Sequence, residues 1–252
     1  MVPTSCRDGM GDRCHTPSVP SLSGFDLSKI EVLTFDCYGT LIDWESGLLA
    51  GLREVVGATD RDDDLLEAYG AAEARAEAGT WLPYRRVLQR GLLDVCTERD
   101  ITPTDQQLAA FGGSVADWPA FPDSASALAR LRERYRLGVI TNCDDDLFAV
   151  SNRKLGQPFE WIVTAEQVGA YKPSRRNFEV ALERIGRPPT SILHSAQSLF
   201  HDHVPAKAMG LATAWIDRRH DRAGFGATPA ASAAPDMVAP DMTTFAAELL
   251  AA

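Results

Sequence analysis

Four groups of polar residues have side chains that could act as a nucleophile, carry a positive charge or hold a water molecule by hydrogen bonds. They are Asp36 with Thr40, Thr141 with Asn142, Lys172, and the stretch from Ser195 to Asp202. Each group falls at or just after the end of an apolar segment that predicts a strand. An aspartate on a tight turn after a buried strand is well placed to attack a substrate covalently. The alternative is an aspartate that only caps a turn or helix.

The elements that must position these groups alternate along the chain. The segment IEVLTF, ending at Phe35, predicts a buried strand. Further strands are predicted at Leu137–Thr141, Trp161–Thr164, Ile192–His194, Ala212–Ile216 and Met237-Val238, and helices at Ala125–Tyr135, Asp145–Leu155, Arg176–Ile185 and Pro205–Met209. This pattern predicts an α/β fold with a Rossmann-like, mostly parallel sheet and helices on both faces. Because strand ends converge at the carboxyl edge of such a sheet, we expect the polar groups to share one site there.

The first predicted strand is followed by a long segment in which only helices are expected. Residues 46–117 are rich in Ala, Glu, Leu and Arg, and we interpret them as a helical cap domain inserted into a core domain of residues 25–45 and 118–252. Residues 1–24, rich in Ser, Pro and Gly, predict a disordered tail without the apolar core of a secretory signal. The stretch from Arg219 to Pro235 predicts a surface loop.

Charge and cysteine content exclude some classes of function. The formal net charge is -10, which argues against a nucleic-acid partner, because nucleic-acid binding relies on clustered Lys and Arg. No apolar run approaches the roughly 20 residues that a membrane helix needs. Five cysteines without a CxxC pair favour a reducing compartment and hence a cytoplasmic protein. Whether the chain forms a homodimer is left open.

Four segments of the chain resemble the sequence motifs of the haloacid dehalogenase superfamily. They are FDCYGTL, VITNCDDD, YKPSRRNF and HSAQSLFHDHVPAKAMG, which occur in the expected order. The resemblance covers roughly residues 29–217 and implies the superfamily's α/β core with an inserted cap. A single motif of this kind is weakly specific, whereas the ordered set is strongly specific.

The resemblance also implies roles for individual residues. Asp36 matches the nucleophile, and Thr40 matches the hydroxyl that bonds it. Thr141 and Asn142 match a hydroxyl and an amide that bind the substrate or the nucleophile. Lys172 matches the lysine whose charge offsets the carboxylates, and a lysine near Asp36 would keep that carboxylate ionised.

Two positions separate this chain from the magnesium phosphatases of the superfamily and make it similar to the L-2-haloacid dehalogenase (type II) branch. Tyr38 stands where the phosphatases carry a second aspartate that protonates the leaving alcohol, and a halide needs no such proton. Gln197 stands where they carry a carboxylate ligand of Mg²⁺, an ion that prefers carboxylate oxygens. The resemblance therefore implies no metal and no cofactor, and a small 2-halo carboxylic acid as substrate.

The dehalogenase interpretation assigns further residues around the nucleophile. Backbone N–H groups of Cys37 and Tyr38 would hold the substrate carboxylate. Asp202 would orient or deprotonate the water that hydrolyses the ester, with Ser195 or Gln197 helping to place that water.

The chain departs from the dehalogenase pattern at several positions. A tyrosine common in that branch is Phe178 here, and the spacing before Asp202 is longer, with His201 in place of a tryptophan. Candidates for a substrate-binding arginine on the cap are Arg75, Arg85 and Arg86, while Trp81 and Tyr84 are candidates for the pocket mouth. Two alternatives stay open, a phosphatase-like hydrolase with a degraded magnesium site and a non-catalytic binding protein. Asp144, Asp145 and Asp146 are predicted to begin a helix, with an N-cap followed by first-turn acids.

Overall fold

The computed structural model describes residues 26–58, 60–222 and 226–252 of the chain. The tail predicted at residues 1–24 lies outside the described residues, as do Cys6 and Cys14 within it. In the described ranges, no helix is both long enough and apolar enough to cross a lipid bilayer.

A six-stranded sheet forms the centre of the molecule. Its strands are β1 (Val32–Phe35), β2 (Arg136–Thr141), β3 (Trp161–Thr164), β4 (Ile192–Ala196), β5 (Ala212–Ile216) and β6 (Met237–Ala239). All neighbouring strands are parallel, in the order β3-β2-β1-β4-β5-β6. The predicted parallel sheet is confirmed, including its sixth strand. The strand order reverses between β1 and β4, and open α/β sheets bind ligands at such a reversal.

Helices account for most of the remaining described residues. They are α1 (Trp44–Val56), α2 (Asp62–Glu77), α3 (Tyr84–Thr97), α4 (Asp105–Gly113), α5 (Ser124–Leu131), α6 (Asp145–Lys154), α7 (Ala165–Val168), α8 (Arg175–Ile185), α9 (Val204–Ala208) and α10 (Met242–Ala251). The first four occupy the segment predicted to be helical, which we call the cap segment; its status as a separate domain stays a prediction. Helices α7 and α10 were not predicted, and α5 ends at Leu131 rather than at Tyr135.

Both faces of the sheet are covered by helices, as predicted. Successive side chains of a strand point to opposite faces. Leu33 and Phe35 pack into a core that includes Phe245 of α10, with the rings of Phe35 and Phe245 centred 6.1 Å apart. Val32 packs on the other side with Phe178 of α8. All four residues of β1 are buried, which explains why the segment is largely apolar; its one polar residue, Thr34, has a hydrogen-bond partner in His194.

Asp144 links the cap segment to the core. It was expected to cap helix α6 with its side chain, and the structure differs on this point. Asp144 stands at the N-cap position of α6, but its side chain makes no capping bond there. Its carboxylate instead accepts hydrogen bonds from the backbone N–H groups of Tyr84 at 2.6 Å and Arg85 at 3.1 Å. These N–H groups open helix α3 and have no partner within that helix. The aspartate therefore caps a helix distant in sequence, which local sequence cannot reveal.

The prediction of a surface loop at Arg219–Pro235 is wrong for part of that segment, because some of its residues are buried. The described residues of Arg219–Pro235 form no helix or strand, but Ala227 is only 2 % exposed. A Cβ atom at Gly70 of α2 would lie 2.2 Å from the carbonyl oxygen of Ala227. The absence of a side chain at Gly70 thus lets this loop pack directly on the cap segment, next to the cavity described below.

Candidate active site

Asp36 and Gln197 follow the two strands between which the strand order reverses. Asp36 comes directly after β1, and its backbone N–H donates to the carbonyl oxygen of Ser195 at 3.1 Å. The hydroxyl of Thr40 donates to Oδ2 of Asp36 at 2.6 Å and accepts from the backbone N–H of Gln197 at 2.9 Å. Thr40 therefore joins the two loops. Gly39 makes the intervening turn with a φ of 91°, a left-handed conformation that glycine adopts without steric cost.

The ammonium group of Lys172 lies between two aspartates. Its Nζ donates to Oδ1 of Asp36 at 2.8 Å, to Oδ1 of Asp202 at 2.7 Å and to the carbonyl oxygen of Ile140 at 2.9 Å. An ammonium group has three protons, so all of them are used. The side chain of Lys172 is 1 % exposed. The structure thus brings together three of the residues that the sequence predicted for catalysis, with Thr40 as the fourth.

Burial and charge act in opposite directions on the pKa values of this cluster. Burial raises the pKa of Asp36; the ammonium of Lys172 opposes the rise, and the negative charge of Asp202 adds to it. For Asp202 burial also acts upward, but Lys172 and His194 outweigh it and hold its pKa well below the usual range. Burial acts to lower the pKa of Lys172, and the two carboxylates outweigh it and raise that pKa. The cluster therefore keeps Lys172 charged and Asp202 ionised.

Asp202 is held by a second buried contact. Oδ1 of Asp202 lies 2.9 Å from Nε2 of His194, and Nδ1 of His194 lies 2.9 Å from the hydroxyl of Thr34. Asp202 sits in a π-helical turn, Leu199–His203. Such a turn carries one more residue per hydrogen-bonded ring than an α-helical turn, and it accommodates the longer spacing noted in the sequence. Oδ2 of Asp202 is buried without a partner among the described residues, so it has lone pairs to offer a ligand or water.

The side chains of Thr141 and Ser195, which were predicted to bind substrate, do not line the cavity beside Asp36, and neither does Cys37, for which a backbone contact was predicted. Cys37 is fully buried in the core. The hydroxyls of Thr141 and Ser195 are buried and have no partner within the described part of the chain. Their predicted side-chain contact with substrate is therefore not supported. Asn142 does line the cavity, and it binds the backbone of Lys172.

The cavity beside Asp36 has a volume of about 40 Å³ and includes side chains that the sequence did not single out. Its lining comprises Asp36, Tyr38, Trp44, Glu73, Glu77, Tyr84, Asn142, Lys172, Gln197, Ser198, His201, Asp202 and Thr228. The indole N–H of Trp44 is buried and has no acceptor among the described residues. Tyr84 lines the cavity, as expected for a residue at the pocket mouth. Trp81 is 37 % exposed and does not line it.

Two glutamates of helix α2 bring carboxyl groups into this cavity. Oε1 of Glu73 accepts from the hydroxyls of Tyr69 at 3.2 Å and Tyr84 at 3.0 Å. Burial raises the pKa of Glu73 to about 7, although the hydrogen bonds from Tyr84 and Tyr69 oppose the rise. Burial, followed by the charge of Glu73, also raises the pKa of Glu77 well above its usual range. The signal available in the sequence was the spacing of Tyr69, Glu73 and Glu77, four residues apart on one helix face.

None of the three candidate arginines reaches the cavity. Arg75 is exposed and pairs with Glu98 at 3.3 Å. Arg85 pairs with Asp144 and Asp146. Arg86 donates to Gln89 at 2.7 Å. Lys172 is the one Lys or Arg that lines the cavity in the described part of the chain. The predicted contact between a cap arginine and the substrate is therefore not supported.

The cavity combines carboxylates with an amide at the position where the superfamily's phosphatases have a metal ligand. Gln197 lines the cavity, and its Oε1 lies 3.5 Å from the hydroxyl of Thr228. Within residues 26–58, 60–222 and 226–252, no group of three or more His, Cys, Asp or Glu side chains is arranged to hold a metal ion. The arrangement is suited to nucleophilic attack by Asp36 beside a buried ammonium group.

Comparisons with known proteins identify the family of the chain. The chain is 24% identical over 204 residues to the (S)-2-haloacid dehalogenase of Pseudomonas putida, covering 77% of this chain and 87% of that protein. It is 30% identical over 146 residues to the pyrimidine 5'-nucleotidase YjjG of Escherichia coli (strain K12), covering 56% and 65%. The crystal structure of the L-2-haloacid dehalogenase PA0810 superposes with a TM-score of 0.72 at 25% identity, covering 88% of this chain and 100% of that one. The family model of the haloacid dehalogenase-like hydrolases matches residues 30–194, more than half of the sequence, and the chain therefore belongs to the haloacid dehalogenase-like hydrolase family.

Proposed function

We propose that this hydrolase converts small 2-haloalkanoic acids into 2-hydroxy acids, without a metal, through an ester on Asp36. The observation that carries the proposal is the setting of Tyr38. Its hydroxyl lies 3.1 Å from Oγ of Ser151 and accepts from the thiol of Cys143 at 3.3 Å. Burial raises the pKa of Tyr38 well above its usual range, which makes this phenol a poor proton donor. A departing halide needs no proton, whereas a departing alkoxide does.

In the first step, an oxygen of Asp36 attacks carbon 2 of the substrate. The carbon–oxygen bond forms as the carbon–halogen bond breaks, the halide leaves with the bonding electrons, and the configuration at carbon 2 is inverted. Lys172 and Thr40 hold the carboxylate in place at 2.8 and 2.6 Å. The backbone N–H groups of Cys37 and Tyr38 donate to no other described residue; Tyr38 lines the cavity, and we assign its N–H to the substrate carboxylate.

In the second step, water adds to the carbonyl carbon of the ester. The bond breaks between that carbon and the former Asp36 oxygen that is now attached to carbon 2, and this oxygen leaves with the product. One proton of the water ends on the hydroxyl of the product, the other goes to solvent, and the carboxylate of Asp36 is restored. The unpartnered Oδ2 of Asp202 is placed to orient the water. Because the pKa of Asp202 is well below its usual range, it is a weak base, and we assign it orientation rather than proton removal.

Hydrolysis of phosphate esters is the second candidate. It is favoured by Glu77, whose raised pKa would leave a carboxylic acid in the cavity to protonate a leaving oxygen, and by the similarity to a nucleotidase. Against it stand Gln197, which supplies an amide in place of a carboxylate ligand, and Lys172, which already bridges Asp36 and Asp202. Magnesium binds weakly where carboxylate ligands are missing.

The two candidates are separated by assaying halide and phosphate release side by side. The halide arm uses chloroacetate and both enantiomers of 2-chloropropionate, and the phosphate arm uses 4-nitrophenyl phosphate and pyrimidine 5'-nucleotides. Each arm is run after dialysis against EDTA and again with Mg²⁺ added. Halide release that withstands EDTA and is lost in Asp36→Asn supports dehalogenation. Phosphate release that requires Mg²⁺ would favour the second candidate, and absence of both would favour a binding protein.

A further inference from the structure

The cavity is rich in carboxyl groups and poor in donors for an anionic substrate. Asp36, Glu73, Glu77 and Asp202 line it together with one cation, Lys172. All three protons of that ammonium group are donated to protein oxygens. A substrate carboxylate therefore needs a donor other than Lys172, in addition to the backbone N–H of Tyr38.

Glu77 has few partners among the described residues. It ends helix α2, one turn after Glu73. Its Oε1 accepts from Nδ2 of Asn142 at 3.4 Å, and its Oε2 lies 3.9 Å from Nε2 of His201, too far for a hydrogen bond. No Lys or Arg of the described ranges lies within ion-pair distance of it. A buried carboxyl without a paired cation takes up a proton, because burial disfavours its charged form.

We infer that Glu77 is a specificity-determining residue that, as a carboxylic acid, donates a hydrogen bond to the carboxylate of the substrate. The inference rests on the proposed function, since it takes a carboxylic acid as the substrate. Ionised Glu77 would repel the same carboxylate, so this residue makes recognition depend on pH. Glu77 thereby binds the substrate carboxylate in place of a cap arginine, since none of the three candidate arginines lines the cavity. The raised pKa of Glu77, caused first by burial and then by Glu73, supports the neutral form.

Other ionisable groups surround Glu77. They are Tyr69 and Glu73 on α2, Tyr84 on α3, Tyr171 and Lys172 before α8, His201 in the π-helical turn, and Asp36 and Asp202 at the strand ends. Burial raises the pKa of Glu73 to about 7 and lowers that of His201 to about 4. The test therefore needs variants that separate Glu77 from Glu73.

Binding of an unreactive acid and its amide tests the inference without turnover. Calorimetric Kd values for propionate and propionamide are measured between pH 5.5 and pH 9 for the wild type, Glu77→Gln, Glu73→Gln and Glu67→Gln. Glu67 lies on the exposed side of α2 and is the matched control. In the wild type and the control, the Kd of propionate should rise about tenfold as Glu77 ionises, whereas that of propionamide should stay constant.

The Glu77→Gln and Glu73→Gln variants should then differ from each other. Glu77→Gln keeps a donor and removes the titration, so its Kd for propionate should not depend on pH. Glu73→Gln removes a neighbouring negative charge and should move the transition to lower pH. Tighter propionate binding by Glu77→Gln at every pH, propionamide preferred over propionate at low pH, or no propionate binding by the wild type would each overturn the inference.

Halide release from 2-chloropropionate, measured on the same samples, tests the proposed function separately. Predicted propionate binding without halide release would leave carboxylate recognition by Glu77 standing and reject dehalogenation. Halide release with propionate binding that ignores pH would reject the role of Glu77 and keep the dehalogenase proposal.

Discussion

Asn142 and Lys172 exchange two hydrogen bonds across the candidate active site. The backbone N–H of Lys172 donates to Oδ1 of Asn142 at 2.7 Å, and Nδ2 of Asn142 donates to the carbonyl oxygen of Lys172 at 3.1 Å. Asn142 follows β2, whereas Lys172 lies on the loop before α8. The amide thereby holds the backbone of the residue whose ammonium group contacts Asp36. Its role in the structure is to position Lys172.

Asn142→Ala should lower kcat by roughly tenfold to a hundredfold, since a displaced ammonium group no longer aligns Asp36. Asn142→Asp keeps an acceptor for the N–H of Lys172 and should recover part of the loss. The measurement is the steady-state rate of halide release, with Asn152→Ala on α6 as the control. Equal rates for Asn142→Ala and the wild type would show that Lys172 holds its position without this amide.

Asp36→Asn should reduce halide release by roughly a thousandfold or more, because an amide is not a nucleophile toward carbon. The matched control is Asp117→Asn, at an exposed position between the cap segment and the core. Circular dichroism spectra of both variants check that the fold is intact. Activity of Asp36→Asn within tenfold of the wild type would remove Asp36 as the nucleophile.

Asp202→Asn should slow the hydrolysis of the ester more than its formation. The variant keeps a polar group beside Lys172 but loses the anionic Oδ2 that we assign to the water. Intact-protein and peptide mass spectrometry after incubation with 2-chloropropionate should then detect an adduct on Asp36, equal in mass to the substrate minus halide and detectable only at trace level in the wild type. Normal turnover, or loss of activity with no adduct, would contradict this role for Asp202.

Lys172→Met should destabilise the fold by about 3–5 kcal/mol near neutral pH, because it leaves two buried carboxylates without a cation. Without the ammonium, the folded-state pKa of Asp36, which burial already raises, lies further above its unfolded value of about 3.9, and the pKa of Asp202 rises as well. The stability loss should therefore be small at acidic pH and grow as the pH rises. Urea unfolding between pH 4 and pH 8 measures it. A loss that is constant over this range would contradict it, and the exposed Lys29→Met is the control.

Exhaustive dialysis against EDTA should leave halide release unchanged within twofold, because Gln197 supplies an amide where a carboxylate ligand would be needed. The converse variant, Gln197→Asp, should bind Mg²⁺ more tightly than the wild type, as measured by isothermal titration calorimetry. If dialysis abolished activity and Mg²⁺ alone restored it, the result would argue against metal-independent dehalogenation and for phosphoryl transfer.

Much of the fold could be predicted because its signals are local. Apolar runs such as IEVLTF predict buried strands, and the end of each strand places polar groups such as Asp36 at one edge of the sheet. Helix α7 has only four residues and carries too short a pattern to be recognised. Asp144, Asp145 and Asp146 begin α6 as predicted, but the carboxylate of Asp144 binds the start of α3 instead, because folding brings that helix near.

The sequence alone predicted Asp36 as the candidate nucleophile, together with Thr40, Lys172 and Asp202, since each belongs to a short motif at the end of a strand or shortly after it. Only the tertiary structure decided what faces them. The packing of α2 turns Glu73 and Glu77 into the cavity, while Arg75 on the same helix pairs outward with Glu98. Residues two positions apart on a helix point in widely different directions, and which of them faces Asp36 depends on how the whole helix docks. That docking results from contacts distant in sequence, among them Gly70 against Ala227 and Asp144 against the start of α3.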